Sequence, residues 1–218
     1  MEKIPLVLRL KKEMHRRIAF AQDIIIEEVY KNFNNAVLHG GTAIWRCYGG
    51  KRFSEDLDFY LSYDKNKIDD LFESFKNKGF AIKKKKISER SIYSEMELDR
   101  TNVRFEATFQ KARGIITDYE KSEGNFIKIY SLTPEEFIIE KIDTYLKRRK
   151  IRDLWDIFFL IKLTKDSNLI RKKIENLIRN YLPPVDEENI KTLILEGITP
   201  SSNDMLEYIR KKWENKNI

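Results

Sequence analysis

Two aspartates at alternate positions of a short apolar segment are the residues best suited to chemistry. Asp56 and Asp58 lie in the segment 56–61, where Leu57 and Phe59 separate and follow them. If the segment is a β-strand, both carboxylates point to one face and the apolar side chains to the other. Carboxylates this close suit Mg²⁺ or Mn²⁺, which prefer oxygen ligands and, for Mg²⁺, keep waters and substrate phosphates in the coordination shell. The alternative is an exposed strand face with two solvated acids.

A glycine pair followed by a hydroxyl residue forms the second candidate motif. Gly40, Gly41 and Thr42 follow the apolar stretch 36–39 and precede the helix-compatible segment 42–48. Glycine allows a phosphate to approach the backbone, and a helix N-terminus offers N–H groups and a favourable dipole. We expect Gly41 or Thr42 to cap this helix. The same residues would also form a plain turn between a strand and a helix.

Glu106 is a candidate third carboxylate. It lies in the alternating segment 103–109, which reads as a strand. If that strand neighbours the one carrying Asp56, Glu106 is either a third metal ligand or the base for an acceptor hydroxyl. The alternative is a solvent-facing residue paired with Arg104.

Two further acids lie in the C-terminal half. Asp153 and Asp156 are spaced i and i+3, so they share one face of a predicted helix that continues into apolar residues. Buried acids need partners, and Arg148, Arg149 and Arg152 are close in sequence. Spacing alone favours a structural salt-bridge network over a catalytic role.

The charge balance favours polyanionic partners. The 218 residues carry a formal net charge of +7, and two basic runs occur, Lys83–Lys86 and Lys147–Lys150. Either run is a backbone contact for nucleic acid or triphosphate, or simply solvated. Cys47 is the single cysteine, which excludes an intramolecular disulfide and indicates a cytoplasmic setting. The sequence contains no apolar stretch that approaches a membrane span.

The sequence pattern predicts two parts that position the candidate residues, a mixed α/β part over 1–130 and a helical part over 131–218. A long helix is predicted over 5–32, an amphipathic helix over 66–79, and a helix starting at Thr133, where Pro134 and Glu136 complete a capping box. Predicted strands cover 56–61, 80–87, 96–98, 103–109 and 126–130.

Together the segments 38–44, 51–59, 140–142 and 152–157 resemble the AbiEii/AbiGii-type nucleotidyltransferase family, which includes toxins of toxin–antitoxin systems. The most specific part is the segment 52–59, Arg-Phe-Ser-Glu-Asp-Leu-Asp-Phe. The resemblance implies an α+β fold with a polymerase-β-like nucleotidyltransferase core, a small mixed or antiparallel sheet with flanking helices, and a C-terminal helical bundle.

The resemblance also implies roles for individual residues. An NTP is the implied substrate and Mg²⁺ or Mn²⁺ the implied cofactor. Gly40, Gly41 and Thr42 match the phosphate-binding motif, although the family often has Ser where this chain has Thr42. Asp56 and Asp58 match the metal-binding pair, and Arg52 and Ser54 are expected to shape the same pocket. Lys141 matches a lysine that contacts the triphosphate, and Asp153, with Asp156 nearby, matches the acid of the last motif; the helical part is thus expected to contribute Lys141 and Asp153 to the site.

We therefore expect transfer of a nucleoside monophosphate from an NTP to an acceptor hydroxyl. In some family members the acceptor is the 3′ end of tRNA, so RNA is the expected acceptor and a cognate antitoxin a possible protein partner; no membrane partner is expected. One alternative is nucleotidylation or phosphorylation of a protein. The other is a non-catalytic nucleic-acid-binding module that uses the basic runs.

Overall fold

The computed structural model describes residues 4–165 and 167–214, which divide into two compact units. The first unit contains the described residues up to Gly49 together with Phe53–Ser131. The second contains Gly50–Arg52 and the described residues from Leu132 onward. The first unit combines helices with a mixed sheet and the second is helical, which confirms the predicted α+β fold.

The elements of the first unit, in chain order, are α1 (Leu6–Arg9), α2 (Glu13–Asn32), β1 (Val37–His39), α3 (Gly40–Tyr48), β2 (Asp56–Leu61), α4 (Lys65–Asn77), β3 (Ala81–Ile87), β4 (Ser91–Leu98), β5 (Thr101–Phe109), β6 (Ile115–Glu120) and β7 (Phe126–Ser131). Within the described residues, seven strands form one sheet in the order β3-β4-β5-β2-β1-β7-β6. The strand β2 is central, because it pairs in parallel with β5 and antiparallel with β1.

One face of this sheet forms the core of the first unit. Leu57, Phe59 and Phe105 are buried, and they alternate along β2 and β5 with residues that point to the other face. The helices α2 and α4 pack against each other, and Phe75 of α4 places its ring 5.6 Å from the ring of Phe105. The predicted alternation of β2 is therefore confirmed, with its acids on the face opposite the core.

The main differences between the sequence-based elements and the structure concern the first helix, β4 and β6. The helix predicted over 5–32 is interrupted, because Leu10 is extended and buried and its carbonyl accepts a hydrogen bond from Arg16 Nε at 2.8 Å. The strand predicted at 96–98 is the end of the longer β4. The strand β6 was not predicted, because its burial pattern lacks the alternation of a strand with one buried face.

The second unit contains α5 (Pro134–Arg148), α6 (Ile151–Leu160), α7 (Ser167–Arg179), a short 3₁₀ helix (Glu187–Asn189), α8 (Ile190–Leu193) and α9 (Ser202–Glu214). The predicted capping box at the start of α5 is confirmed. The Glu136 N–H donates to Thr133 Oγ1 at 3.2 Å, and the Thr133 N–H donates to Glu136 Oε2 at 2.8 Å. None of the helices within the described ranges is long and apolar enough to cross a membrane.

Candidate active site

The three predicted carboxylates of the first unit meet on the face of the sheet opposite its core. In the parallel pair of β2 and β5, Asp58 is in register with Glu106 and Asp56 with Arg104. On the other side of β2, His39 of β1 is in register with Asp58. Residues in register on neighbouring strands lie about 4.8 Å apart and point to one face. We call these five residues the carboxylate face.

Three carboxylates lie close together on the carboxylate face, and Arg104 is near two of them. Arg104 NH1 lies 3.4 Å from Asp56 Oδ2 and 3.7 Å from Glu106 Oε1. Burial raises the pKa of Glu106, the negative charge of Asp58 raises it further, and Arg104 offsets part of that rise. A cluster of three neighbouring carboxylates is an environment that favours a bound cation.

The donor set fits a divalent cation in an open site. Across residues 4–165 and 167–214, no group of three His, Cys, Asp or Glu side chains is arranged to hold a metal ion alone. Mg²⁺ is usually bound by one or two carboxylates and completes its shell with water and substrate phosphates. Asp56 and Asp58 match this mode, since they are adjacent oxygen donors on an accessible face.

Gly40 is the residue of the glycine pair that touches the carboxylates. Its φ is +72°, a left-handed conformation that favours glycine. A Cβ added at this position would lie 2.9 Å from Asp58 Cγ and still nearer to Oδ2. The carboxylate of Asp58 therefore rests against the Gly40 backbone at the first residue of α3.

The hydroxyl of Thr42 points into the protein. Thr42 is fully buried, and its Oγ1 donates a hydrogen bond to the carbonyl of Asp56 at 2.5 Å. The hydroxyl is thus committed to the backbone at the start of β2, and the predicted place of Thr42 in the phosphate-binding motif stays a prediction. The predicted cap is wrong, since His39 occupies the N-cap and α3 begins at Gly40.

Gln22 supports the same backbone and was not singled out in the sequence. This fully buried residue of α2 donates from Nε2 to the carbonyls of Ser54 at 2.9 Å and Glu55 at 3.1 Å, and lies 3.4 Å from Thr42 Oγ1. A usable signal existed, because Gln22 lies one turn from both Ile18 and Ile26, on the apolar face of its helix. A polar residue at a core position needs a specific partner.

Behind Gln22 lies a second buried polar group. Arg46 of α3 donates from NH1 to Gln22 Oε1 at 3.4 Å and forms an ion pair with Asp23. Asp23 also accepts from the backbone N–H of Ser122 at 2.7 Å and from the hydroxyl of Tyr119 at 3.1 Å. Hydrogen bonds to a buried charge hold geometry firmly, so α2, α3 and the start of β2 form one rigid support.

Four further predicted residues, Arg52, Lys141, Asp153 and Asp156, take part in an ionic cluster within the second unit. Asp156 binds Arg52 through two hydrogen bonds of 2.7 Å and lies 2.8 Å from Lys141 Nζ. Asp153 binds Arg148 at 2.7 and 2.8 Å and lies 3.5 Å from Lys141 Nζ. The structural network favoured by spacing is therefore present, and it includes Lys141 and Arg52.

The electrostatics of this cluster define what its acids can do. Burial alone would raise the pKa of Asp156, but the charges of Arg52 and Lys141 outweigh burial and leave the pKa below its ordinary value. Asp156 therefore stays ionised at neutral pH, where it fixes Lys141 and cannot donate a proton. The predicted catalytic roles of Lys141, Asp153 and Asp156 stay predictions, as does the pocket-forming role of Arg52 and Ser54.

Comparison with known families identifies the chain. A sequence model of the family described as "Nucleotidyl transferase AbiEii toxin, Type IV TA system" matches residues 28–215. The chain belongs to this family. It is therefore a nucleotidyltransferase, and AbiEii membership implies an NTP substrate and an antitoxin partner. Among the curated proteins, none matches the chain.

Solved structures share the fold of this AbiEii member. MenT4, a nucleotidyltransferase toxin from Mycobacterium tuberculosis, is similar with a TM-score of 0.64 at 18% identity, over 92% of this chain and 82% of MenT4. JHP933 from Helicobacter pylori is similar with a TM-score of 0.64 at 21% identity, over 94% of this chain and 96% of its own. At these identities the likeness concerns the fold, which confirms the expected nucleotidyltransferase architecture.

Proposed function

We propose that this nucleotidyltransferase transfers a nucleoside monophosphate from an NTP to a hydroxyl of RNA, with the 3′ end of tRNA as the favoured acceptor and Mg²⁺ or Mn²⁺ as cofactor. The observation that carries this proposal is the register of Asp58 with Glu106, directly beside Gly40 at the start of α3. Modification of tRNA 3′ ends would block translation, as expected of a toxin.

The reaction forms one bond and breaks one. The acceptor oxygen attacks the α-phosphorus of the NTP, the bond from that phosphorus to the bridging oxygen breaks, and pyrophosphate leaves. The hydroxyl proton passes to a base, for which solvent and Glu106 are the available acceptors. The bound cation would supply charge neutralisation of the triphosphate and a lower pKa of the attacking hydroxyl.

The residues of the first unit have separate tasks in this proposal. Asp56 and Asp58 hold the cation, and Glu106, one strand away, either joins them when the cation is bound or serves as the base. The backbone N–H groups of Gly41 and Thr42, at the positive end of the α3 dipole, bind phosphate oxygens. Gln22 and the hydroxyl of Thr42 hold the backbone from which Asp56 and Asp58 project.

Lys141 is the proposed cationic contact for the triphosphate, as the family resemblance implies. Its surroundings support a fixed ammonium group, since Asp153 and Asp156 both lie within 4 Å of Nζ. A lysine held in this way stabilises charge on leaving pyrophosphate without reorganising during the reaction.

The test is incorporation of labelled nucleotide. Protein is incubated with each labelled NTP, Mg²⁺ and total tRNA, and the products are separated on a gel. We expect label in RNA, and we expect Asp58→Asn to reduce it about 100-fold or more, because it removes cation binding worth several kcal/mol in the transition state. Asp69→Asn removes the same charge from an exposed position of α4 and should leave incorporation unchanged.

Each other outcome identifies a different function. Label in protein would support nucleotidylation or phosphorylation of a protein acceptor. No label, together with salt-sensitive RNA binding, would support a non-catalytic binding module. Full activity of Asp58→Asn would show that the assigned cation site is wrong.

A further inference from the structure

A row of residues runs across the sheet face opposite the core, away from Gly40. Starting at Asp58, the residues in register are Glu106 of β5, Tyr93 of β4 and Lys86 of β3. The neighbouring row starts at Asp56 and continues through Arg104 and Glu95 to Lys84. Lys86 thus lies three strand spacings from Asp58, about 14 Å away. We call Lys84, Lys86 and Tyr93 the β3–β4 strip.

The sheet order assigns the two substrates to opposite sides of the carboxylates. Gly40 and the start of α3 adjoin β1, on one side of β2, and a helix N-terminus attracts phosphates. The NTP triphosphate therefore takes the β1 side in the proposed function. The acceptor must reach the same cation from elsewhere, and the β3–β4 strip begins directly beyond Glu106.

The side chains of the strip combine an aromatic ring with cations. Tyr93 is oriented by a hydrogen bond from its hydroxyl to Glu95, and Lys84 Nζ lies 4.9 Å from the centre of its ring. Lys84 is also 3.6 Å from Glu95, but both side chains are about half exposed, and such pairs are weak enough to exchange for a phosphate. Rings on which bases stack, next to cations for the phosphates, are the usual features of single-strand binding surfaces.

We infer that the β3–β4 strip binds the single-stranded 3′ end of an RNA acceptor, with a base stacked on Tyr93 and backbone phosphates on Lys84 and Lys86. This inference rests on the proposed function. It favours RNA over a protein as the acceptor of the nucleotide. The charge pattern carries that choice, because a neutral protein hydroxyl would gain nothing from the two lysines.

Binding can be measured without catalysis. The probe is a 12-nucleotide single-stranded RNA of mixed sequence with a 5′ fluorescein, followed by fluorescence anisotropy in Mg²⁺ without NTP over a series of salt concentrations. Lys84→Gln/Lys86→Gln should weaken binding and reduce the slope of log K against log salt by about 1.4, since each lost phosphate contact on a single strand removes about 0.7.

The same basic run provides the control. Lys85 points to the other face of β3, where its Nζ lies 4.1 Å from the ring centre of Phe72 and 3.6 Å from Asp69. Lys85→Gln removes a neighbouring positive charge without touching the strip, so the salt slope should stay at its wild-type value. An equal fall in slope for Lys85→Gln would show that bulk charge, and not the strip, binds RNA.

Tyr93 tests stacking separately from charge. Tyr93→Ser should weaken RNA binding about 5- to 150-fold, the range for loss of one stacked base, whereas Tyr93→Phe keeps the ring and should bind within about twofold of wild type. Circular dichroism before and after heating confirms that each variant is folded. In turnover, Tyr93→Ser should raise the KM for RNA more than it lowers kcat. Wild-type affinity of folded Tyr93→Ser would overturn the inference.

Failure of this inference differs from failure of the proposed function. If wild-type protein labels RNA and the strip variants bind and label RNA normally, the strip is wrong and the function stands. If the strip variants lose RNA binding but wild-type protein transfers no nucleotide, the function is wrong and the strip stands as a binding surface. Label in protein that is unaffected by the strip variants would overturn the choice of an RNA acceptor.

Discussion

Replacing Gly40 with alanine should separate backbone strain from displacement of Asp58. At φ +72° an alanine costs about 1–2 kcal/mol, because its Cβ crowds the carbonyl oxygen. Gly49, at the other end of α3, has φ +70°, and a Cβ there would meet no atom of the described residues within 4 Å. Gly49→Ala therefore has the same strain without the clash.

The clash at Gly40 has a definite size. The added Cβ would lie 2.9 Å from Asp58 Cγ, whereas non-bonded carbons prefer about 3.5–4.0 Å, so the carboxylate must move by about 1 Å. A displacement of about 1 Å in a reacting group can cost about 100-fold in rate. We expect Gly40→Ala to lose about that much activity and Gly49→Ala to lose little.

The assay compares three measurements on both variants. Thermal unfolding should show a loss of stability in both variants, Mn²⁺ binding by electron paramagnetic resonance should weaken in Gly40→Ala alone, and nucleotide incorporation should follow Mn²⁺ binding. If Gly40→Ala retains the activity of Gly49→Ala, the contact between Gly40 and Asp58 has no part in catalysis and the assigned geometry of the site is refuted.

Three further changes test other parts of the structure. Thr42→Val should lower the stability by about 1–3 kcal/mol and should also lower the activity, because the Asp56 carbonyl loses its donor. Thr42→Ser keeps the hydroxyl and should behave like wild type. Equal behaviour of the two variants in urea unfolding and nucleotide incorporation would contradict this. Glu106→Gln should weaken Mn²⁺ binding about tenfold or more in a titration, and unchanged affinity with a lower kcat would instead identify Glu106 as a base. Asp156→Asn should lower the free energy of unfolding at pH 7 by about 3–5 kcal/mol, since it removes the negative charge that pairs with the buried Arg52 and Lys141. The folded pKa of Asp156 lies below its ordinary value, so this stabilisation is complete above about pH 4 and is lost as the pH falls through the folded pKa. Urea unfolding should therefore show a smaller difference in stability between wild type and Asp156→Asn at pH 3 than at pH 7. A larger difference at pH 3 would exclude the ion pairs as its source.

Local patterns carried much of the fold prediction. The strand β2 was predictable because its alternation of acids and apolar residues has a period of two, and one face of the strand is buried. The start of α5 was predictable because Thr133, Pro134 and Glu136 each satisfy a local requirement of a helix N-terminus. Such signals depend on neighbours within four residues, which a single sequence displays fully.

Features that depend on residues distant in the sequence could not be predicted from local patterns. The interruption at Leu10 follows from its burial in the core, and β6 is specified by its pairing with β7 more than by its own pattern. Glu106 could be identified as a candidate acid, but its place in the site depends on β5 pairing in parallel with β2. No local feature of either strand predicts that pairing, since the paired residues are separated by more than forty positions in the sequence.

Thr42 shows why a motif identifies residues more reliably than roles. Gly40, Gly41 and Thr42 lie where a phosphate-binding turn should, yet the hydroxyl that suggested a phosphate ligand donates to the Asp56 carbonyl. A side chain at the third position of α3 can point toward the helix end or into the core. Its direction depends on which hydrogen-bond partners the core provides. Here Gln22 and the carbonyls of Ser54 and Asp56 form a polar group that requires a hydroxyl donor. A serine at this position satisfies the same requirement, so the exchange of serine for threonine is explained by support of the β2 backbone and needs no contact with the nucleotide.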